Sequence, residues 1–542
     1  MRARRRIASP IRLRNSAVNP FTALAEHTSI TKSNARPLDT VIAIDGQSLS
    51  LAQFQTVVRD KTASELSPAA RQRVVAGRAV VERVLTEDKA VYGVNTGFGH
   101  LSDVRIAADK LVVLQERLII SHCAGVGDAL PNAVVRGMLL LRANTLARGH
   151  SGVRPDVIDS LLALLNADVL PLVPSRGSVG ASGDLAPLAH LALPLLGKGR
   201  VRIAGKERTA TEGLRKAGIK PLVLQPKEGL ALINGTQGMT SILALAVIDG
   251  HRLTRIADLV SAMSTDALRG TDTAFDQRLH ALRPHPGQQA SAANLWQLLQ
   301  GSDIRESHRQ NDVRVQDPYS VRCIPQVHGA VRDLLVDAET KVAIEMNAVT
   351  DNPLVFPEEG EILSGGNFHG EPMALAADIL AIGLSELGAI SERRTEKLTN
   401  TAFSGLPPFL IKDAGLNSGF MMAQVTAAAL ASENKTLCHP ATVDSIPTSA
   451  DKEDHVSMGM WAALKLQQVL NNATQILAIE LLAAAQGIDL LRPLKSSPPL
   501  EHLHAAIRKH LPVWTQDRET AADIALALQF LDEIDPIIAD LR

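Results

Sequence analysis

Three small residues, Ala181, Ser182 and Gly183, have the chemistry to form an electrophile together, and we refer to them as the triplet. Glycine lets the backbone fold back on itself, so the amide nitrogen of Gly183 can approach the carbonyl carbon of Ala181. Ring closure with loss of water, followed by loss of the Ser182 hydroxyl as a second water, would leave an imidazolone ring with an exposed methylene. Such a ring accepts electrons, which ordinary side chains cannot do.

The residues of the stretch 177–190 also allow three other interpretations. Its glycines could form a phosphate-binding loop, but no predicted strand precedes them and no Gly-Lys-Ser/Thr follows. Ser182 could be a hydrolase nucleophile, but Asp184 replaces the second glycine of the Gly-x-Ser-x-Gly pattern. The third alternative is a structural turn. Residues 184–193 are predicted to form a helix whose positive end would face the triplet.

Three side chains elsewhere in the chain could do chemistry of their own. Tyr92 would be a base if an electrophilic or cationic neighbour lowered its pKa below the usual value of about 10; otherwise it is a buried tyrosine with a satisfied hydroxyl. His122 ends a predicted helix and can donate or accept a hydrogen bond, or can be structural. The guanidinium of Arg322 suits a bidentate grip on a carboxylate, the alternative being a surface ion pair.

Three other features have adequate structural explanations when they are considered by themselves. Asn234 precedes a long apolar helix and is predicted to cap it. Phe368 is predicted to be a core residue. The acidic residues 451–454 are predicted to lead into a helix, where the helix dipole favours negative charge.

The elements that must position these residues are mainly helices. Ser50 is a plausible N-cap for a helix that begins near Leu51. Apolar residues at three- and four-residue spacing predict further helices, the last ending at Gly487; their ranges are 111–120, 239–268, 338–348, 372–398, 421–436 and 455–486. Residues 91–100 are predicted to be an irregular loop shaped for contact. The sequence therefore predicts a multi-helix bundle.

Composition limits the function classes. The 542 residues carry a net charge of −1, which gives no reason to propose nucleic acid or an anionic membrane as a partner. Three cysteines, odd in number and widely spaced, argue against a disulfide framework and suit a reducing cytoplasm. The uncharged run 229–248 is interrupted by polar residues and fails as a membrane span, so no transmembrane helix is predicted. We also predict no required metal, because no His-Glu-x-x-His motif is present.

The chain is predicted to comprise three regions. Residues 1–37 are basic and polar, without the apolar stretch of a secretory signal, and are predicted to form a mobile tail; an organelle-targeting peptide is the alternative. Residues 38–240 are predicted to form a domain that carries the triplet. Residues 241–542 are predicted to form a long-helix bundle domain.

The stretch 177–190 closely resembles the signature of the aromatic amino acid ammonia-lyases and aminomutases. In that family the triplet cyclises autocatalytically to 4-methylideneimidazole-5-one (MIO). The resemblance runs from about Ile42 to the C-terminus and includes family motifs in family order; these lie at 91–100, 121–127, 228–237, 316–328, 365–372 and 448–458.

The resemblance implies a role for each candidate residue. Tyr92 matches the general base that removes the β-proton, and Asn234 matches a residue that hydrogen-bonds the MIO adduct. Phe368 matches an aromatic that packs on the MIO ring. Arg322 matches the arginine that holds the substrate carboxylate, and Tyr319 matches a tyrosine near the amine and the prosthetic group. Gln316, in the same motif as Arg322, is a further substrate-binding candidate.

Two positions indicate the substrate. Histidine-specific members of the family carry Ser-His at 121–122, where phenylalanine and tyrosine lyases carry Phe-Leu or His-Leu. They also carry a glutamate at 453, where other members usually have glutamine. The resemblance therefore implies deamination of L-histidine to trans-urocanate and ammonia, with His122 and Glu453 binding the imidazole ring of the substrate. The alternatives are a tyrosine or phenylalanine lyase or aminomutase with the same chemistry, and a non-catalytic helical scaffold.

The chain departs from the histidine-specific members at four positions, namely Cys123, Ile324, His328 and Lys452. Lys452 could hold the neighbouring carboxylate of Glu453 ionised, or could favour a modified or acidic substrate. These departures bear on which substrate is used and leave the chemistry unaffected.

The resemblance also implies an architecture. The fold is expected to be mainly α, a long-helix bundle with a loop-rich N-terminal region that carries the prosthetic group, as in the ammonia-lyase and fumarase-like superfamily. The family assembles as a homotetramer whose active sites are built from several subunits. The expected partners are therefore a small amino acid and further copies of this chain.

Overall fold

The computed structural model describes residues 41–87, 90–97, 104–310, 312 and 314–542. The predicted tail at 1–37 lies outside the described residues, as do Phe98, Gly99 and His100 of the predicted loop. Residues Val41–Arg542 form one compact unit. The predicted boundary between residues 240 and 241 stays a prediction.

The fold is mainly helical, as predicted. The helices are α1 Leu51–Arg59, α2 Pro68–Thr86, α3 Leu111–His122, α4 Asn132–Ala147, α5 Pro155–Asn166, α6 Leu185–Ala192, α7 Ala210–Ala217, α8 Glu228–Ile233, α9 Gln237–Ala267, α10 Gln277–Ala281, α11 Pro286–Leu299, α12 Asp303–Glu306, α13 Tyr319–Arg322, α14 Ile324–Met346, α15 Glu371–Thr399, α16 Thr401–Ser404, α17 Met421–Leu437, α18 Gly459–Leu490, α19 Pro498–His510, α20 Thr520–Asp532 and α21 Asp535–Ile538. The short strands are β1 Ile42–Ile44, β2 Ser64–Leu66, β3 Val126–Ala129, β4 Leu170–Pro171, β5 Pro174–Arg176, β6 Arg200–Ile203, β7 Lys206–Thr209, β8 Leu354–Phe356 and β9 Glu361–Leu363.

The strands form small sheets at the edges of the helical core. β1 pairs in parallel with β2, whereas β3–β5, β4–β6–β7 and β8–β9 pair antiparallel. β5 immediately precedes the glycine-rich stretch, so the prediction that no strand precedes it was wrong. A three-residue strand has too little sequence for periodicity to reveal it.

Local capping explains the first helix. Ser50 accepts a hydrogen bond from the backbone amide of Gln53, and the Gln53 side chain accepts one from the backbone amide of Ser50. This reciprocal capping box satisfies amides that would otherwise lack partners at the helix start. The predicted N-cap and the predicted start at Leu51 are confirmed.

Five long helices, α9, α14, α15, α17 and α18, pack into the predicted bundle. Small residues bring their axes close together. A side chain at Gly250 would meet Leu335 of α14 at 2.5 Å, and one at Gly388 would meet Ile476 of α18 at 3.2 Å. The bundle core is therefore dense enough that added volume at these glycines would force its helices apart.

A buried ion pair lies between the helices. Arg394 on α15 donates to Glu480 on α18 through Nε at 2.6 Å and Nη2 at 2.9 Å, and both side chains are fully buried. Ser264 of α9 and Ser391 donate to the same carboxylate. Removing one partner would leave an uncompensated buried charge, so shifts of these three helices that separate the pair are costly.

Three predicted helix bounds differ from the structure by more than two residues, and the largest difference is the start of α14, which lies at Ile324 instead of residue 338. The last long helix begins at Gly459 instead of residue 455, because the backbone before it is held by other partners: Met458 donates to the Val179 carbonyl at 2.9 Å and has a left-handed φ of +55°. It also continues through Gly487 to Leu490. A Cβ built on Gly487 would lie 2.9 Å from the Cβ of Ala267 on α9. The glycine therefore allows the two helices to pack closely and does not end α18.

Two helices, Glu371–Thr399 and Gly459–Leu490, are long and apolar enough to cross a membrane by length and composition. In each, however, most of the apolar window is buried inside the protein, 72% and 78% respectively. They are core helices of the bundle.

Candidate active site

The triplet lies in a tightly curled turn between β5 and α6. Ser182 and Gly183 have left-handed φ values of +51° and +73°, and the Gly183 amide donates to the Gly180 carbonyl at 3.2 Å. A serine in this region costs about 1–2 kcal/mol relative to ordinary backbone conformations, so the surrounding structure must enforce it. The backbone therefore curls back at the residues that the ring closure would join.

The structure leaves no room for a side chain at the third position. A Cβ built on Gly183 would lie 2.1 Å from the carbonyl oxygen of Gly235, and these two glycines form a parallel bridge. The next amide, that of Asp184, donates to the same Gly235 carbonyl at 2.7 Å. Only glycine fits here, which agrees with what formation of an MIO group from the triplet requires.

The triplet sits beside the N-terminal ends of long helices. Cβ atoms built on Gly370, just before α15, and on Gly459, the first residue of α18, would lie 2.4 and 2.5 Å from the sulfur of Met239 in the first turn of α9. Gly180 packs against Ser457, just before α18. Helix N-termini carry partial positive charge, so this position favours developing negative charge on an electrophile.

Asp184 connects the triplet to α9. Its carboxylate accepts a hydrogen bond from the backbone amide of Met239 at 2.9 Å and so caps that helix. Complete burial raises the pKa of Asp184 to about 7, although the amides of Met239 and Gly238 and the hydroxyl of Ser178 oppose the rise. The group therefore changes its charge near neutral pH, directly beside the triplet.

This raised pKa makes a prediction about stability. Because the folded state binds the Asp184 proton more tightly than the unfolded state, the stabilisation is complete below about pH 4 and is lost as the pH rises towards about 7. Asp184→Asn keeps the shape and cannot ionise. We expect its free energy of unfolding relative to the parent protein to rise by about 3 kcal/mol between about pH 5 and pH 8.

Calorimetric melting temperatures of both proteins at a series of pH values measure this difference. A variant whose melting temperature differs from the parent's by a constant amount over that range would contradict a raised Asp184 pKa.

Glu453 lies against the triplet. The Ser182 hydroxyl donates to Oε1 of Glu453 at 3.0 Å, and the hydroxyls of Thr448 and Ser449 donate to Oε2 at 2.9 and 2.7 Å. The predicted precursor of the electrophile and the residue predicted to bind the imidazole are therefore in direct contact.

The helix start predicted just after residues 451–454 was wrong, because α18 begins only at Gly459.

His122 is the last residue of α3. Its Nδ1 lies 2.9 Å from the Leu118 carbonyl and 3.1 Å from the Ser121 hydroxyl; because the carbonyl can only accept, Nδ1 donates to it, and in the neutral ring Nε2 is then the acceptor. The chain that follows packs on the glycine-rich stretch: Gly125 donates to Nε2 of His190 at 3.1 Å and lies against Gly177. The segment that follows His122 therefore reaches the glycine-rich stretch, and no hydrogen bond between described residues involves Nε2 of the half-buried His122 ring.

Asn234 and Tyr92 are linked through neighbouring backbone. The Asn234 amide donates to the Asn352 carbonyl at 2.9 Å, and its own side-chain oxygen is buried without a hydrogen-bond partner in the described part of the chain. A Cβ on Gly93, next to the half-buried Tyr92, would lie 2.9 Å from Pro353. Asn234 follows α8 as its C-cap, so its predicted place as the N-cap of the long helix was wrong.

The orphaned oxygen of Asn234 fits a residue that hydrogen-bonds a bound group, since burial of an unpaired carbonyl costs about 1–3 kcal/mol. Phe368 is half-buried, two residues before the Gly370 that packs on Met239. The loop that carries Phe368 thus approaches Met239, whose backbone amide donates to Asp184 beside the triplet.

Three predicted residues lie elsewhere. Arg322 stacks over the ring of Tyr319 at 4.5 Å, and Tyr319 and Gln316 are exposed. This segment is anchored to the C-terminal end of α9, where Arg314 donates to the Leu268 carbonyl at 2.7 Å. No hydrogen bond or ion pair between described residues joins residues 316–322 to the triplet.

The helix between them sets the separation. The triplet contacts the first turn of α9 through Asp184, whereas residues 314–322 contact its last turn. α9 has 31 residues and is therefore about 46 Å long. Within one chain, Arg322 and the triplet cannot reach the same small molecule.

Two of the departures belong to the bundle core. Ile324 is fully buried at the start of α14. His328, also fully buried, bonds Asp258 at 2.8 Å. Burial raises the pKa of Asp258, but the Arg332 charge and the His328 hydrogen bond outweigh it and lower the pKa to about 2. Both positions act on packing rather than on substrate contact within this chain.

The other two departures lie nearer the triplet. Lys452 is exposed, and no ion pair joins it to Glu453 or to another described residue; the effect of its charge on Glu453 stays a prediction. Burial raises the pKa of the Cys123 thiol to about 11, which keeps it protonated and unreactive at neutral pH.

Sequence reasoning missed several residues that build the site. Asp184 was assigned only to a helix start, although a charged residue directly after the triplet was a usable signal. Arg142 donates to the Asn234 carbonyl at 2.8 Å and is fully buried, as are Lys227 and Asp351, which pair at 2.8 Å. No local pattern identifies these long-range partners, because they meet only in the folded chain.

Comparison with known proteins identifies the class. The aromatic amino acid lyase family matches residues 49–509, and this chain belongs to that family. Among its relatives is a histidine ammonia-lyase of Anaeromyxobacter sp. (strain K), which is 53% identical over 500 residues that cover 91% of this chain and 98% of the relative.

Solved structures give the same fold. The crystal structure of histidine ammonia-lyase from Trypanosoma cruzi is 44% identical, with a TM-score of 0.85, and the match covers 92% of this chain and 95% of that one. A tyrosine aminomutase from Streptomyces globisporus is 38% identical with a TM-score of 0.88, covering 93% and 100%. Because both fit the fold equally well, the substrate must be argued from side chains.

Proposed function

We propose that this chain catalyses the non-oxidative deamination of L-histidine to trans-urocanate and ammonia. The observation that carries the proposal is the 3.0 Å hydrogen bond between Ser182 and Glu453, which joins the electrophile precursor to a residue type that marks histidine specificity. The extensive identity with a relative named histidine ammonia-lyase supports the same substrate. The enzyme is therefore a carbon–nitrogen lyase.

We propose that the triplet becomes an MIO group, since the curled backbone and the glycine-only third position fit its formation. An MIO group supplies an electrophilic methylene for the substrate amine, which makes ammonia a better leaving group. Asn234, with its orphaned oxygen, and Phe368, on the adjoining loop, are the residues we expect to hold it in place.

The chain's own side chains bind and orient the substrate. The free Nε2 of His122 can accept a hydrogen bond from the imidazole N–H, and Glu453 can accept or hold a proton at the other nitrogen. Tyr92 takes the β-proton on its phenolic oxygen. Fixing the imidazole relative to this base converts the proton transfer into a step between prepositioned groups, which is a large source of rate.

The carboxylate clamp comes from a second copy of the chain in this proposal. Arg322, Tyr319 and Gln316 lie at the far end of α9, about 46 Å along the helix from the triplet's contact with it. An assembly that places this end of one chain beside the triplet of another would complete the site. We propose a homotetramer with shared active sites, as the family resemblance implies.

We further propose that the enzyme is cytoplasmic and that the elimination requires no metal. The three cysteines are all free, which suits a reducing compartment, and the two long apolar helices are mostly buried. A tyrosine or phenylalanine lyase or aminomutase is the competing function, favoured by the fold match to a tyrosine aminomutase. His122 argues against it, because a phenyl ring cannot use the free nitrogen.

Incubation of the purified protein with L-histidine, L-tyrosine or L-phenylalanine separates these functions. We expect ammonia release and growing ultraviolet absorbance of a conjugated product with histidine only. Product analysis distinguishes elimination from an aminomutase reaction, which would give a β-amino acid. Absence of any product with all three substrates would favour the non-catalytic scaffold.

A matched variant sharpens this experiment. His122→Leu removes the acceptor nitrogen at similar size and should raise KM for histidine by at least about tenfold, since a lost hydrogen bond to a substrate is worth about 1–1.5 kcal/mol or more. Unchanged KM and kcat in this variant would contradict the role of His122.

A further inference from the structure

Three metal-ligating side chains meet just outside the residues assigned to catalysis. His369 precedes α15, Glu371 is its first residue, and His455 lies four residues before α18. One nitrogen or oxygen from each lies within 4.8 Å of the others. We refer to these three residues as the His369–Glu371–His455 cluster. No sequence motif predicts it, because its histidines are 86 residues apart.

The cluster is partly organised already. The two imidazole rings stack almost in parallel, with centroids 5.9 Å apart and an interplanar angle of 7°. His369 donates through Nε2 to the backbone carbonyl of His455 at 3.3 Å, which ties the loop before α15 to the segment before α18. Ligands around a tetrahedral Zn²⁺ lie about 3.3 Å apart, so small side-chain rotations would bring the three donors together.

The carboxylate of the cluster lacks a partner. Oε2 of Glu371 is shielded from solvent and accepts no hydrogen bond from the described residues. A buried carboxylate oxygen without a donor is costly, by about 1–3 kcal/mol or more, and a bound cation would remove that cost. Glu453 on the neighbouring segment differs, because three hydroxyls donate to it.

We propose that the His369–Glu371–His455 cluster binds a divalent transition-metal ion of the Zn²⁺ class. Two imidazole nitrogens and one carboxylate oxygen are a donor set that such ions prefer over Ca²⁺ or Mg²⁺. His455 is exposed, so a water molecule can fill the fourth position. The proposal does not depend on the substrate of the enzyme.

The position of the cluster gives the ion a structural effect on the site. Phe368 directly precedes His369, and Glu453 lies two residues before His455. A bound ion would therefore hold the loop that contains Phe368 against the segment that contains Glu453. The ion would hold these two segments at fixed spacing beside the triplet without contacting the reacting atoms. It therefore adds to the proposed elimination and supplies no step of it.

Titration of chelator-treated, untagged full-length protein with Zn²⁺ and Co²⁺ tests the proposal. We expect one tight ion per chain by calorimetry, and with Co²⁺ a visible absorption band of the intensity typical of tetrahedral coordination. Glu371→Gln, which preserves size, and His369→Ala should each weaken binding by at least about tenfold and abolish the Co²⁺ band.

His502→Ala is the matched control, because it removes an exposed histidine outside the cluster and should leave both signals intact. Circular dichroism of every variant checks that the helices remain folded. The proposal is overturned if the parent protein binds no ion tightly, or if folded Glu371→Gln and His369→Ala variants bind Zn²⁺ and Co²⁺ as the parent does. Neither outcome bears on whether histidine is deaminated.

Discussion

Replacing Ser182 with alanine should lower kcat for histidine by at least about a thousandfold, which corresponds to about 4 kcal/mol of lost transition-state stabilisation. The reason is that alanine has no hydroxyl to lose, so no exposed methylene can form. Alanine keeps the Cβ of serine and tolerates the left-handed φ of +51° about as well, so the fold should survive. Steady-state assay of ammonia release together with intact-protein mass measures both effects.

The mass measurement makes the result specific to the prosthetic group. The parent protein should weigh two water molecules less than its translated chain. Ser182→Ala has no hydroxyl to lose, so it should weigh at most one water molecule less than its own translated chain. Ser175→Ala, the same change on β5, is the control and should keep both the mass loss and the activity. A Ser182→Ala protein that turns over histidine at an appreciable rate would eliminate the triplet as the electrophile.

Replacing Tyr92 with phenylalanine should lower kcat by about a hundredfold to ten-thousandfold, the usual contribution of a general base. The change removes only the phenolic oxygen and keeps the ring that packs against the core. We expect KM for histidine to change little, because the imidazole and carboxylate contacts are made by other residues. The pH profile of kcat should also lose its dependence on the ionisation of the base.

The sequence offers a direct way to observe this phenol. It has only two tyrosines, so a Tyr319→Phe protein retains Tyr92 as its single phenol, and ultraviolet difference spectra report the ionisation of that residue. The pKa found there for the free enzyme should match the one in the pH profile of kcat/KM. Tyr92→Phe activity within a few-fold of the parent, with the two-water mass loss intact, would show that another group is the base.

Most of the long helices and the family motifs could be predicted from sequence because the signal for each lies in residues that are close together along the chain. Apolar periodicity gave α9 and α15 to within two residues at each end. The start of α18 could not be predicted so well. The apolar pattern continues through Val456 and Met458, but their amides bond Ser445 and Val179, which are distant in sequence.

The candidate site divides in the same way. Tyr92, the triplet and Glu453 are predicted from their motifs, whereas only the folded chain shows that Glu453 contacts Ser182. The pKa of Asp184 depends on complete burial against α9, which no local pattern reports. Likewise, His369 and His455 are ordinary histidines until two helix N-termini bring their rings into a stack.

The length of α9 has a genetic consequence. If Arg322 at one end of this helix binds the carboxylate of a substrate held at the triplet of another copy, then no single polypeptide contains a complete active site. A lesion at Arg322 in one allele and a lesion at Ser182 in another then fall in different halves of each composite site. Mixed assemblies of the two products contain some sites built wholly from intact halves, so two individually inactive alleles complement each other when they are expressed together.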